Sequence, residues 1–128
     1  MHHVLVVDDA ADPTDPLCRL LRRAGYDVSC AGGLTDALPL LASGRVSTVL
    51  LDLLLPDVDG LEILQRIRAD PRTAAVPVVM FTAADDGRLR NRAVGAGVQE
   101  YLLKGSTSLA ELRAAIERCT AGLLVASP

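Results

Sequence analysis

Ser47-Thr48-Val49-Leu50-Leu51-Asp52 is an apolar, β-branched run that closes on a carboxylate. A run of that length and composition reads as a buried strand. Nothing in a strand requires an acid at its end, and burying a charge without a partner is costly. A partner for Asp52 is therefore expected, and three other strand-like runs supply candidates. Val4-Leu5-Val6-Val7 ends in Asp8-Asp9, Val78-Val79-Met80-Phe81 in Thr82, and Tyr101-Leu102-Leu103 in Lys104. Apolar runs that each deliver a polar group at the carboxyl end describe an open parallel sheet. In such a sheet, ligands sit beyond the strand ends, where the strand order reverses.

The intervening segments have helical signals. Asp15-Pro16 suits an N-cap followed by a first helical position, so a helix is expected from Pro16 to just before Gly25. Tyr26 to Ala31 reads as a strand nearer the edge. Thr35 is expected to cap a weak helix over residues 36–42, with Pro39 near its first turn. Asp59 and Glu62 fit a capping box for a helix through Ala69, and Leu61, Leu64 and Ile67 share one face of it. Val76 to Phe81 and Val98 to Leu103 are the remaining strands, with a helix over residues 88–94 between them. Ser108 and Glu111 form a second capping box, opening a helix through about Cys119. This β–α alternation calls for a parallel sheet with helices on both faces and right-handed crossovers. Residues 1–121 form the expected domain, and residues 122–128 a tail or the start of a linker.

With 128 residues the chain has room for a single substantial core. Half of its residues are apolar and its formal net charge is −3, which argues against disorder and against a domain dedicated to gripping nucleic acid. No apolar run is long enough to span a membrane. Met1-His2-His3 enters the first strand almost at once, with no signal-peptide pattern, so a cytoplasmic location is expected. Cys18, Cys30 and Cys119 are odd in number and set among apolar residues, which favours buried thiols over a disulfide or a metal cluster.

Asp8, Asp9 and Asp52 could not all stay ionised close together without a cation. Mg²⁺ resolves the conflict, because it takes oxygen ligands and needs only one or two direct carboxylates. Asp9 and Asp52 are the expected direct ligands, with Asp8 an outer one through water. Asp12, in the following loop, reads as a solvated turn carboxylate. Asp52 can also act as a nucleophile and form an aspartyl phosphate. Lys104 would then neutralise charge on the transferring group, and Thr82 would offer it a hydroxyl. No histidine is placed for catalysis, and no Walker loop or GxGxxG follows the first strand. A haloacid-dehalogenase-type phosphatase would want an Asp two residues after the nucleophile, where this chain has Leu54.

Val7-Asp8-Asp9, Leu51-Asp52 with Leu55-Pro56-Asp57-Val58-Asp59-Gly60, Phe81-Thr82-Ala83 and Tyr101-Leu102-Leu103-Lys104 together resemble the receiver domain of two-component response regulators. The likeness covers essentially the whole chain. It implies a flavodoxin-like, doubly wound α/β domain, (βα)5, with a five-stranded parallel sheet in the order 2-1-3-4-5. It implies that Asp52 accepts a phosphoryl group from a sensor histidine kinase or histidine phosphotransfer protein. The backbone carbonyl of Leu54 would join Asp8, Asp9 and Asp52 around Mg²⁺. Thr82 would be the switch hydroxyl, Lys104 the lysine that pairs with the phosphate, and Tyr101 the switch aromatic. Apart from its own phosphorylation and dephosphorylation, such a domain is not an enzyme. Its output face would be the fourth helix, fifth strand and fifth helix, acting on a downstream domain or protein, with homodimerisation on phosphorylation as one route. Neither nucleic acid nor membrane would be touched directly. Gly105 departs from the family's usual Pro, and Pro13 and Pro16 delay the first helix. Leu54 and Ala84 are apolar at positions that tune phosphoryl lifetime in the family, which implies a long-lived adduct. Two other readings are a degenerate receiver serving as a constitutive interaction module and a small Mg²⁺-dependent phosphatase, which Leu54 disfavours.

Overall fold

The structure, a computed structural model, describes residues 2–125 apart from Pro13 and Asp57, with side chains described through Thr120. Its elements are β1 (His3–Val7), α1 (Pro16–Arg23), β2 (Asp27–Ala31), α2 (Leu34–Ala42), β3 (Thr48–Leu51), α3 (Gly60–Ala69), β4 (Val78–Thr82), α4 (Gly87–Gly95), β5 (Glu100–Leu103) and α5 (Leu109–Val125). All strand pairs are parallel, and the sheet order is β2-β1-β3-β4-β5. The order reverses at β1, which lies between β2 and β3. The doubly wound fold expected from the sequence is present.

Period-two alternation in the central strands supplies two apolar layers. Leu5, Val7, Val49, Leu51, Val78 and Met80 pack against Ala37 and Leu41 of α2, Leu61, Leu64 and Ile67 of α3, and Ala93 of α4. Val4, Val6, Leu50 and Val79 face the other way, onto Cys18 and Leu21 of α1 and Leu112 and Ile116 of α5. Each fully buried Leu or Ile contributes about 1.5–3 kcal/mol, so this packing, more than propensity, holds the shorter helices. Among the described residues no helix is long and apolar enough to cross a membrane.

Helix ends follow local chemistry. Asp15 caps α1 by accepting from Leu17 N–H, with Pro16 in the first turn. Ser108 and Glu111 exchange two 3.1 Å bonds at the start of α5, the full capping box. At α3 the cap is Asp59 alone, accepting from Leu61 N–H at 2.8 Å rather than completing a box with Glu62. Two expectations are corrected. Thr35 does not cap α2: Gly33 occupies the cap position, its carbonyl accepting from Ala37 N–H, so Thr35 lies in the first turn and Pro39 falls two residues deeper. Nor does α5 stop near Cys119; it continues past Gly122 to Val125, and Ile116, Cys119 and Thr120 are still buried where the expected end would fall.

The thiols also differ from expectation. Cys18 and Cys119 are buried, but Cys30 is only half-buried, and its Sγ lies 3.0 Å from that of Cys18. The fold brings together two cysteines that stand 12 residues apart in the sequence, one in α1 and one on β2.

Candidate functional site

Strand register places the polar groups. Val7 pairs with Leu51, so the next residues, Asp8 and Asp52, leave adjacent strands side by side at the carboxyl end of the sheet. Asp52 N–H still donates to Val7 O, and Asp8 N–H to Ala31 O, so both backbones are fixed by the sheet. Thr82 pairs with Leu103, and Lys104 N–H donates to Thr82 O, which brings the lysine over the same edge.

Asp8 is 7 % exposed and Asp52 6 %, whereas Asp9 is open to solvent. One oxygen from each of the three carboxylates lies within 4.8 Å of the others. Each buried acid has one oxygen fixed by the main chain. Asp8 Oδ1 accepts from Ala10 N–H at 3.0 Å, and Asp52 Oδ1 from Leu54 N–H at 3.1 Å. The other oxygens meet Lys104, whose Nζ donates to Asp8 Oδ2 and, at 2.9 Å, to Asp52 Oδ2. Burial alone would push Asp8 up, but hydrogen bonds from Lys104 and Ala10 outweigh it and hold its carboxyl below the usual range. The hydrogen bond and charge of Asp8 push Asp9 up. Burial works to lower Lys104, and its bonds to Asp8 and Asp52 prevail and raise it. The cluster sets three carboxylates against one ammonium, leaving two negative charges in a site built of hard oxygen donors. That donor set suits a divalent cation of the Mg²⁺ class.

Gly60 lets α3 begin directly under Asp52. A Cβ there would overlap the Asp52 carbonyl oxygen and lie 2.8 Å from Leu53 Cα, and Gly60 N–H donates to Leu53 O at 3.1 Å. Asp59-Gly60 ahead of an apolar helix was visible as a helix start, but nothing in the sequence marks the close approach to Asp52.

Thr82 is fully buried, and its Oγ1 accepts from Ala84 N–H at 3.2 Å. Tyr101 is half-buried, and its hydroxyl donates to Ala84 O at 2.6 Å. The two side chains thus hold one residue of the β4–α4 loop by its amide and by its carbonyl. The Arg90 guanidinium lies 6.0 Å from the Tyr101 ring centroid. Arg88 and Arg92 of α4 are also exposed. Asp12 lies apart from the site; its Oδ1 accepts from Thr14 N–H and Oγ1, the local turn expected of it. Leu54 comes to the site through its backbone, while its side chain is 56 % exposed. Lys104 leads into a turn at Gly105 where a Cβ would meet nothing within 4 Å. A groove beside the acids is lined by Asp15, Pro16, Leu20, Phe81, Leu109 and Leu112, from α1, β4 and α5.

The family described as the response regulator receiver domain matches residues 4–117. Among curated relatives, the DNA-binding dual master transcriptional regulator RpaA of Synechocystis is 36 % identical over 123 residues, covering 92 % of this chain and 50 % of its own length. The DNA-binding response regulator MtrA of Mycobacterium tuberculosis is 37 % identical over 101 residues, 79 % of this chain and 43 % of its own. The chain thus spans about half the length of the curated relatives it matches. Of solved structures, TrrA of Thermotoga maritima in complex with Mg(2+)-BeF superposes with a TM-score of 0.78 at 29 % identity, over 93 % of this chain and 99 % of that one. The chemotaxis protein CheY4 of Vibrio cholerae has a TM-score of 0.84 at 24 % identity, covering 93 % and 98 %, a likeness of fold. With the acid cluster, the lysine and the hydroxyl on the strand ends of this fold, and the family matched over residues 4–117, the chain belongs to the response regulator receiver domains.

Proposed function

We propose that this chain is a phosphoacceptor switch in which Asp52 takes a phosphoryl group in a Mg²⁺-dependent reaction. The observation that carries the reading is the convergence of Asp8, Asp9 and Asp52 within 4.8 Å, with Lys104 bonded to the two buried members. The donor is a phosphohistidine on a sensor kinase or phosphotransfer protein. An Asp52 carboxylate oxygen attacks phosphorus, the P–N bond breaks, and the imidazole leaves with the electron pair and takes up a proton from water. Asp9 and Asp52 would hold the cation directly, Asp8 through water, and Leu54 by its backbone carbonyl. When bound, the cation neutralises charge on the transferring phosphoryl oxygens. The residue roles are positional. Leu54 N–H fixes one Asp52 oxygen and so orients the carboxylate. Lys104 is released from two carboxylates to pair with the phosphoryl oxygens, and Thr82 turns its hydroxyl from Ala84 N–H toward them.

That exchange provides the switch. Once Thr82 gives up Ala84, the loop holding Tyr101 loses one of its two grips, and the equilibrium between two loop and ring positions shifts. The readout is the α4–β5–α5 face, acting on an attached or separate output domain or on a second copy of the chain. Because RpaA and MtrA are DNA-binding regulators of about twice this length, a transcriptional output for the whole protein follows the same pattern. This domain itself works in the cytoplasm, touches neither DNA nor membrane, and catalyses only its own phosphoryl gain and loss. Residues 1–121 carry the receiver, whose last helix runs on to Val125, and residues 122–128 serve as a tail or the start of a linker.

Intact mass after incubation with Mg²⁺ and acetyl phosphate tests the proposal. Wild type gains one phosphoryl group, and neither the Asp52→Ala variant nor wild type in excess chelator does. Absence of the adduct in wild type, together with no binding of Mg²⁺ or beryllofluoride, would overturn it.

A further inference from the structure

We propose that Cys18 and Cys30 form a peroxide-sensitive dithiol that closes to a disulfide between α1 and β2. The pair is assembled by the fold. Cys18 lies in the first turn of α1 and is fully buried, while Cys30 lies on β2, the edge strand, and is half-buried. Their sulfurs are 3.0 Å apart, so bond formation requires a further approach of only about 1 Å. The third cysteine, Cys119, is buried on α5, and no thiol contact is found for it among the described residues.

The environments divide the labour. Burial, reinforced by the neighbouring Cys30, pushes the Cys18 thiol up to about 12, so it stays protonated and shielded. Cys30 is the member that solvent reaches, and Arg22 Nη2 lies 3.9 Å from its sulfur. Cys30 is therefore the group that meets the oxidant. Its thiolate attacks one oxygen of hydrogen peroxide, the O–O bond breaks, and the hydroxide released takes a proton to become water, leaving a sulfenic acid. The Cys18 sulfur then attacks the Cys30 sulfur, the S–O bond breaks, and the departing hydroxide carries off the Cys18 proton as a second water. Two thiols and one peroxide become one disulfide and two waters. The product joins α1, whose N-cap Asp15 lies in the groove beside Asp8 and Asp9, to the outer strand of the sheet. A reductant of the dithiol class reverses it.

The sequence makes the test direct, because tryptic cleavage leaves the three cysteines on separate peptides, residues 1–19, 24–45 and 119–128. The folded chain is treated with hydrogen peroxide, alkylated after denaturation, digested without reduction and weighed. The expected result is loss of two hydrogen atoms from the intact protein, a linked peptide joining 1–19 to 24–45, and an alkylated Cys119. Dithiothreitol restores three alkylated peptides. The Cys18→Ser variant stops at an oxidised Cys30, and Cys119→Ser behaves as wild type. Oxidised Cys30 in wild type beside a free Cys18, or a link made through Cys119, would overturn the proposal. Both readouts come from the wild-type protein, so the test stands even if a serine variant folds poorly.

Discussion

Replacing Lys104 by Met should destabilise the metal-free protein and, at the same time, strengthen its response to Mg²⁺. Lys104 Nζ lies 2.9 Å from Asp52 Oδ2 and also bonds Asp8 Oδ2. For charge centres about 4 Å apart at an effective dielectric of about 20, each attraction is worth about 4 kcal/mol. Much of that sum is cancelled by the hydration that Lys104 gives up, its side chain being only 31 % exposed. Deleting one partner of a buried pair typically costs about 3–5 kcal/mol, and solvent screening of the lysine places this case near the lower bound, about 3 kcal/mol. At this chain length that corresponds to a fall in Tm of about 10 °C. The variant's site carries three carboxylates and no ammonium, so Mg²⁺ binds it more tightly and stabilises it more at equal concentration. Thermal and urea denaturation, each with chelator and with Mg²⁺, read both effects. A metal-free Lys104→Met protein within 0.5 kcal/mol of wild type (roughly, the size of an ordinary surface substitution) would refute the reasoning. So would a Mg²⁺-induced rise no larger than that of wild type.

Asp8 also sets a pH dependence. Bonds from Lys104 and Ala10 overcome the effect of burial and hold Asp8 below its ordinary 3.8, so its stabilisation is present above that value and lost as pH falls through the folded one. Urea midpoints of the chelated wild type should therefore drop below about pH 4, and Lys104→Met should lack that component. Gly60→Ala forces a methyl group against the Asp52 carbonyl and Leu53 Cα; calorimetry should show a loss of about 1–3 kcal/mol, with weaker Mg²⁺ binding by titration. Thr48 is fully buried, and its hydroxyl has no hydrogen-bond partner among the described residues. Thr48→Val should therefore stabilise the chain by about 1 kcal/mol in urea titration, and a destabilised variant would mean that the hydroxyl is satisfied.

What the sequence made legible was whatever repeats with a short period or sits at an element's end. Strands such as Val4-Leu5-Val6-Val7 announce themselves by composition, and their terminal Asp8, Asp52, Thr82 and Lys104 follow because a parallel sheet gathers carboxyl ends at one edge. Caps made by a side chain, Asp15 and Ser108, were legible for the same local reason. The cap of α2 was not, because Gly33 offers only its backbone. The end of α5 was hidden too, since Gly122 reads as a stop and the helix runs through it. Contacts that depend on how helices lie on the sheet left no local trace. Gly60 under Asp52, Ala84 held by both Thr82 and Tyr101, and Cys18 against Cys30 all join elements whose distance only the packed fold determines. Arg68 belongs with them: one guanidinium bonds Ala74 O, Val76 O, Gly97 O and Gln99 Oε1, tying α3 to the approaches of β4 and β5.

The measurement that reaches the central claim most directly is chemical location of the phosphoryl group. An acyl phosphate is reduced by sodium borohydride, which converts the phosphorylated aspartate to homoserine and leaves unmodified carboxylates untouched. Wild type treated with Mg²⁺ and acetyl phosphate, then reduced and digested, should carry homoserine at residue 52 and nowhere else. Homoserine at Asp8, Asp9 or Asp59, or an adduct that survives Asp52→Ala, would contradict the assignment of Asp52 as acceptor.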